Sequence, residues 1–130
     1  MNKSIVITTA APAPIGPYSQ GVMANGMLFI SGQIALDPVD GSLYTEDIIT
    51  ETDRVMQNLK GILSAAGLDF SNVVKSTIFL TDMANFAQVN EVYGVYFDAA
   101  NAPARETVQV SGLPRGVHVE ISMIAVVPDA

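Results

Sequence analysis

Apolar positions follow two rhythms along this chain. Short runs and strict alternations mark strands, and steps of three and four mark helices. Ser4–Thr8, rich in Ile and Val, predicts a first strand. Ala10–Pro17 carries Pro12, Pro14, Gly16 and Pro17 and predicts an irregular connector. Tyr18–Ala24 and Met27–Ser31 flank Asn25-Gly26. That pair between apolar runs predicts a hairpin, because both turn positions favour positive φ. Gly32 follows, a residue that permits a bulge or a close approach. Asp37-Pro38-Val39-Asp40-Gly41 has turn chemistry.

The spacing of Ile48, Thr52, Val55, Met56, Leu59, Ile62, Leu63 and Ala66 predicts a helix over Thr45–Ala66. Thr45 is its expected N-cap, Glu46 and Asp47 suit the positive end of its dipole, and Gly67 suits the residue past its end. Val73–Leu80 predicts a strand with Val74, Ser76, Ile78 and Leu80 on one face and Val73, Lys75, Thr77 and Phe79 on the other. Asp82 can cap a second helix, Met83–Ala99, with Phe86, Val89, Tyr93, Tyr96 and Phe97 as its apolar stripe. Asn90 falls inside that stripe, as a hydrogen-bonding anchor or a site wall. Gly94 costs the helix about 1 kcal/mol relative to Ala, which suggests close packing there. Glu106–Val110 and Val117–Val127 are the last strands. The order β-ββ-α-β-α-ββ predicts one α+β domain over residues 1–130, with two helices on one face of a mixed sheet.

Composition narrows the chemistry. The 130 residues are 49% hydrophobic and 15% charged, with a mean hydropathy of +0.36. That is oily for a soluble monomer and points to a surface covered by copies of the chain. A net charge of −7 opposes binding to a phosphate backbone. With no Cys and a single His, disulfides, thiol nucleophiles, Fe–S clusters and Cys- or His-rich metal sites are excluded within one chain. Met1–Thr9 lacks the make-up of a signal peptide, and no apolar stretch approaches the roughly 20 residues that cross a bilayer. A cytosolic location is expected.

Two charges stand among apolar neighbours near the end of the chain. Arg105 offers a planar fork that matches a carboxylate, on a ligand or in an ordinary ion pair. Glu120 shares a strand face with His118, Ser122, Ile124 and Val126. It is either the structural partner of Arg105 across a hairpin-like return or a group that orients water. Glu106, next to Arg105, points to the opposite face and reads as solvent-facing or an interface residue. Tyr18 and Ser31 bring hydroxyls to the hairpin strands, and His118 reads as a surface residue. A P-loop and a dinucleotide glycine pattern are both missing.

These residues carry a resemblance. Ala13-Pro14-Ile15-Gly16-Pro17-Tyr18-Ser19-Gln20-Gly21, Phe29-Ile30-Ser31-Gly32-Gln33, Ala65-Ala66-Gly67-Leu68, Val74-Lys75-Ser76-Thr77, Asn85-Phe86, Val89-Asn90, Pro103-Ala104-Arg105, Leu113-Pro114 and Val119-Glu120-Ile121 together resemble the Rid family of reactive-intermediate deaminases, also called the YjgF family. The resemblance spans essentially the whole chain. It implies a chorismate-mutase-like fold and a homotrimer with clefts between subunits. It also implies cofactor-free hydrolysis of 2-iminobutanoate and 2-iminopropanoate, the imines released by pyridoxal-phosphate dehydratases, to 2-oxo acids. By the same resemblance, Arg105 binds the substrate carboxylate and Glu120 positions water. Tyr18, Ser31, Gly32 and Asn90 line or support the cleft. Sister deaminases for aminoacrylate-type or ring-derived substrates, and a non-catalytic chaperone-like trimer, are the alternatives. Two positions depart from the family pattern. Glu106 stands where a small residue is frequent, and it would weaken the carboxylate site if it entered the cleft. Thr107 stands where Cys is frequent, and it brings a hydroxyl to the binding site instead of a thiol.

Overall fold

The computed structural model describes residues 2–129. In chain order the elements are β1 (Ser4–Val6), β2 (Gly21–Ala24), β3 (Met27–Gln33), α1 (Ile48–Ala65), β4 (Val73–Leu80), α2 (Phe86–Gly94), β5 (Ala104–Gln109) and β6 (Val119–Val126). The strands form one sheet in the order β1-β2-β3-β6-β4-β5. Among the described residues only the β4–β5 pair is parallel, so the sheet is mixed as expected.

Local chemistry builds the frame. Asn25 and Gly26 take φ of 52° and 71°, the left-handed pair that a two-residue hairpin requires. α1 ends with Ala66 and a left-handed Gly67 at φ 75°, again as the sequence predicts. Its start differs. Asp47, not Thr45, is the N-cap, and its carboxylate accepts from the Thr50 amide at 2.7 Å. An ionised acceptor at the positive end of the helix outcompetes a hydroxyl two residues earlier.

The core lies between the helices and one face of the sheet. Val55, Met56, Leu59, Ile62 and Leu63 of α1 are fully buried, as are Leu28 of β3, Leu80 of β4, and Val119, Ile121 and Ala125 of β6. β4 departs from its expected phase at one point. A bulge between Val73 and Lys75 buries Val73 and leaves Val74 exposed, while Ser76, Ile78 and Leu80 keep the core face. α2 is shorter than Met83–Ala99. Asp82 caps a 3₁₀ turn, Met83–Asn85, and the α-helix ends at Gly94. A Cβ added at Gly94 would meet nothing within 4 Å, so no close packing requires that glycine.

Among the described residues the other face of the sheet carries no helix. Ile5, Val22, Phe29 and Ile124 pair side by side across four strands to form an apolar row. Ile5 and Phe29, with Val22 of β2 between them, are 46% and 42% exposed, too much apolar surface in one row to be scattered chance. Next to this row run Ser122, Thr77 and Glu106, and then Glu120, Phe79 and Val108.

The last two strands overturn one expectation. β5 and β6 form no hairpin, because β4 lies between them. The chain leaves β5, passes through a 3₁₀ turn at Pro114–Gly116, and returns as β6 on the far side of β4. Arg105 pairs with Ser76 and Glu120 with Phe79, three residues apart on β4. Two strand spacings and three residues of rise separate their backbones by about 14 Å. Ser76 faces the core and Phe79 the open side, so Arg105 and Glu120 also point to opposite faces. They are not an ion pair.

Candidate active site

A cavity of about 340 Å³ opens at the end of β3 and β6, within the size range of small-molecule pockets. Its walls include Pro12, Ile15, Tyr18, Ser31, Gly32, Ile34, Leu36, Pro114 and Glu120. The proline-rich connector forms one wall, and its backbone is fixed by a side chain. Buried Gln20 accepts from the Thr8 amide at 2.8 Å and donates to the carbonyls of Thr8, Ala11 and Pro12 at 2.9, 3.2 and 2.9 Å. Prolines remove amide donors from this segment, so the glutamine supplies the order that a strand partner would. The opposite wall is held by buried Asn58 of α1, which donates to the carbonyls of Ile34 and Leu36 at 3.1 and 2.9 Å.

Ser31 and Gly32 form a bulge. β3 and β6 lose register between Ile30 and Gln33, which pair with Met123 and Ile121. Ser31 donates its hydroxyl to the Ser19 carbonyl at 2.6 Å, and its amide bonds the Gln20 carbonyl at 3.0 Å. Gly32 has a specific reason to lack a side chain. A Cβ there would lie 2.8 Å from Cδ and 3.1 Å from Cγ of Glu120, with Oε2 nearer still. The Glu120 carboxylate therefore occupies the space that any larger residue at 32 would fill. The Tyr18 hydroxyl accepts from the Ile15 amide at 3.3 Å at the rim. Burial pushes the Glu120 carboxyl above its ordinary value, because the charged form loses hydration that nothing else replaces.

Arg105 stands elsewhere, on the core face of β5 at the edge of the sheet. Its guanidinium lies 5.0 Å from the centre of the Tyr93 ring and 5.8 Å from that of Phe86. The Tyr93 hydroxyl donates to Ser76 Oγ at 2.9 Å, and Ser76 is the register partner of Arg105. Burial pushes the Tyr93 phenol up, so it stays neutral. Among the described residues Arg105 has no carboxylate partner. Aromatic faces orient the fork and leave its hydrogen-bond donors open. Thr107, two residues on along the same face, has a buried hydroxyl oxygen with no hydrogen-bond partner.

The structure thus brings Tyr18, Ser31, Gly32 and Glu120 to one cavity, and places Arg105 with Thr107 at another edge. Asn90 joins neither group. It is exposed, because α2 turns only Val89 and Tyr93 fully inward. Glu106 does not enter the cavity. It lies on the open face with Lys75 at 3.1 Å and the Thr77 hydroxyl at 2.8 Å, which hold its carboxyl below the usual value. Sequence reading missed Gln20, Asn58 and Glu51. The last two carried a signal, since Glu51 lies one turn before Val55 and Asn58 one turn before Ile62 on the apolar stripe of α1.

Comparisons with known proteins agree with this frame. The family described as Endoribonuclease L-PSP matches residues 8–127. Protein DfrA of Myxococcus xanthus is 56% identical over 128 residues, covering 97% of this chain and 97% of its own. A mouse (Mus musculus) protein named 2-iminobutanoate/2-iminopropanoate deaminase is 49% identical over 124 residues, covering 95% and 91%. Among solved structures, a Rid-family protein of unknown function from Yersinia pestis superposes with a TM-score of 0.94 at 46% identity, covering 97% and 100%.

Proposed function

Since the chain belongs to the Endoribonuclease L-PSP family, the YjgF/Rid family, we propose that it hydrolyses small 2-imino acids such as 2-iminobutanoate and 2-iminopropanoate to 2-oxo acids and ammonia. The observation that carries the reading is Arg105: a partly buried guanidinium, oriented by two aromatic rings and carrying no carboxylate of its own. Such a fork is built for a ligand carboxylate, and each charged hydrogen bond to it contributes about 1.5–3 kcal/mol.

In the reading we favour, water adds to the C=N carbon with Glu120 accepting its proton and passing it to the nitrogen; the carbinolamine hydroxyl proton then goes to that nitrogen as the C–N bond breaks, and ammonia leaves. The raised pKa of Glu120 suits that task, because a base is most effective when its pKa lies nearer the working pH. The chemistry asks for a carboxylate clamp and an oriented water, and for no cofactor.

One chain cannot bring Arg105 and Glu120 to one substrate, because they face opposite sides of the sheet. We therefore place the working site between copies, in a homotrimer whose interface covers the apolar row of Ile5, Val22, Phe29 and Ile124. Arg105 of one subunit would then meet the Glu120 cavity of the next. The family's description as an endoribonuclease suggests RNA, but a net charge of −7 counts against it.

The test couples the purified protein to a threonine dehydratase and follows loss of the imine. Turnover above buffer, reduced at least 100-fold by Arg105→Ala, is expected. Parent protein at the buffer rate would sink the deaminase reading, and elution as a monomer would sink the intersubunit site.

A further inference from the structure

Glu51 is the least expected residue of this fold: a fully buried carboxylate on α1 that the proposed chemistry does not use. Its Oε2 accepts from the amides of His118 and Val119 at 2.7 and 3.1 Å. Its Oε1 faces His118 Nδ1 at 2.7 Å, and that imidazole is half exposed. All three groups belong to His118, just before β6, and Val119, its first residue, 67 and 68 positions away in sequence.

The place explains the need. On its β3 side, β6 has its last ladder partner at Ile121, opposite Gln33. Among the described residues, Val119 and Glu120 beyond that pair have only β4 as a ladder neighbour, and the His118 carbonyl accepts from the Thr81 amide at 3.1 Å. The amides of His118 and Val119 would be buried without acceptors. The one oxygen, Oε2, accepts from both, so a single side chain replaces two missing backbone bonds. Glu120 sits between this carboxylate and the last ladder pair.

We propose that Glu51 is a positioning residue for Glu120. By replacing the missing strand neighbour it keeps the end of β6 from fraying back to Ile121, and so keeps the Glu120 carboxylate in the space left by Gly32. The proposal rests on the deaminase reading for what Glu120 does, but not for where it is held. Because Arg105 binds the carboxylate from a separate edge of the fold, losing Glu51 should act on kcat and spare KM.

The test uses Glu51→Ala and the shape-conserving Glu51→Gln, with imine turnover and amide hydrogen exchange measured on each. Gln keeps one oxygen for the two amides and turns its NH₂ toward His118, whose other tautomer accepts. It should fold even if Ala does not. Expected for Gln is a kcat reduced about tenfold at a KM within twofold of the parent. Exchange should accelerate at residues 118–120 and remain slow at Ile30, Leu80 and Met123. Ala, where folded, should lose more kcat than Gln. A purely structural role would lower Tm while leaving kcat per folded site unchanged. Parent-like kcat in a folded Gln variant whose strand end exchanges faster overturns the proposal and leaves the deaminase reading intact. If the parent itself fails to turn over the imine, that reading falls instead. The positioning claim is then decided by the NMR titration of the Glu120 carboxyl, which Glu51→Gln must shift; an unshifted titration overturns it.

Discussion

Gly32→Ala isolates the geometry of the cavity from the stability of the fold. The residue has no positive φ, so alanine brings no backbone strain there. The difficulty is the new methyl, which would stand 2.8 Å from Cδ of Glu120. Backbone at this bulge is tied by Ser31 to Ser19 and Gln20, whereas the carboxylate is the free end of a flexible side chain. The carboxylate should therefore move. An off-rotamer side chain costs about 0.5–1.5 kcal/mol. With an unfolding entropy of about 2.1 cal/mol/K per residue, 1 kcal/mol corresponds to roughly 4 °C for a chain of this length. A Tm loss of about 2–6 °C is expected. Activity should suffer far more, because a displacement near 1 Å at a reacting centre can cost about 100-fold. KM should change little, since in the proposed site the substrate carboxylate is bound by Arg105 of a neighbouring copy and not by Glu120. Differential scanning calorimetry and coupled imine turnover on the same preparation measure both quantities. Adding Glu120→Asp to Gly32→Ala should recover Tm without recovering kcat, because the shorter side chain avoids the methyl but no longer reaches the water. Gly32→Ala with kcat within threefold of the parent would refute the reasoning. So would a Tm loss beyond 10 °C, which would mean that the backbone gave way instead.

Two further outcomes follow from the site. Burial raises the folded-state pKa of Glu120 above the ordinary 4.5, so its contribution to stability is present below that value and lost as pH rises through the raised one. Glu120→Gln should therefore melt higher than the parent near neutrality, and the gap should close below pH 4.5, as followed by thermal melts across pH. The Thr107 hydroxyl is buried without a partner, an arrangement that costs about 1–3 kcal/mol. Thr107→Val should raise Tm by roughly 4–12 °C at about 4 °C per kcal/mol. A lowered Tm would show that the hydroxyl has a partner in the assembled protein.

What the sequence disclosed was local. Asn25-Gly26 specified its turn, and the α1 stripe specified which face is buried, because both depend on residues within one turn of each other. The misreadings were of two kinds. In the helices, Asp47 displaced Thr45 as a cap, and Asn90, about 100° round α2 from Val89, falls outside the face that Val89 and Tyr93 bury. In the sheet, the order of strands depends on contacts that no short window contains. Nothing in residues 105–120 announces that β4, some thirty positions earlier, will lie between the two strands.

That insertion changes what the two charges can be. As hairpin neighbours, Arg105 and Glu120 would neutralise each other, and removing either would strand a buried charge. With β4 between them, each is held by something other than the other. Arg105 lies over Tyr93 and Phe86, and Glu120 fills the space beside Gly32. Their conflicting needs are then met separately. Within one chain the arginine keeps open hydrogen-bond donors, and the glutamate keeps a pKa raised by burial. A fold that paired them would be quieter and would have no reason to bind an imino acid. Separation leaves each unsatisfied within its own chain, and in the site proposed between copies a second copy's Arg105 would relieve both, with substrate standing between them.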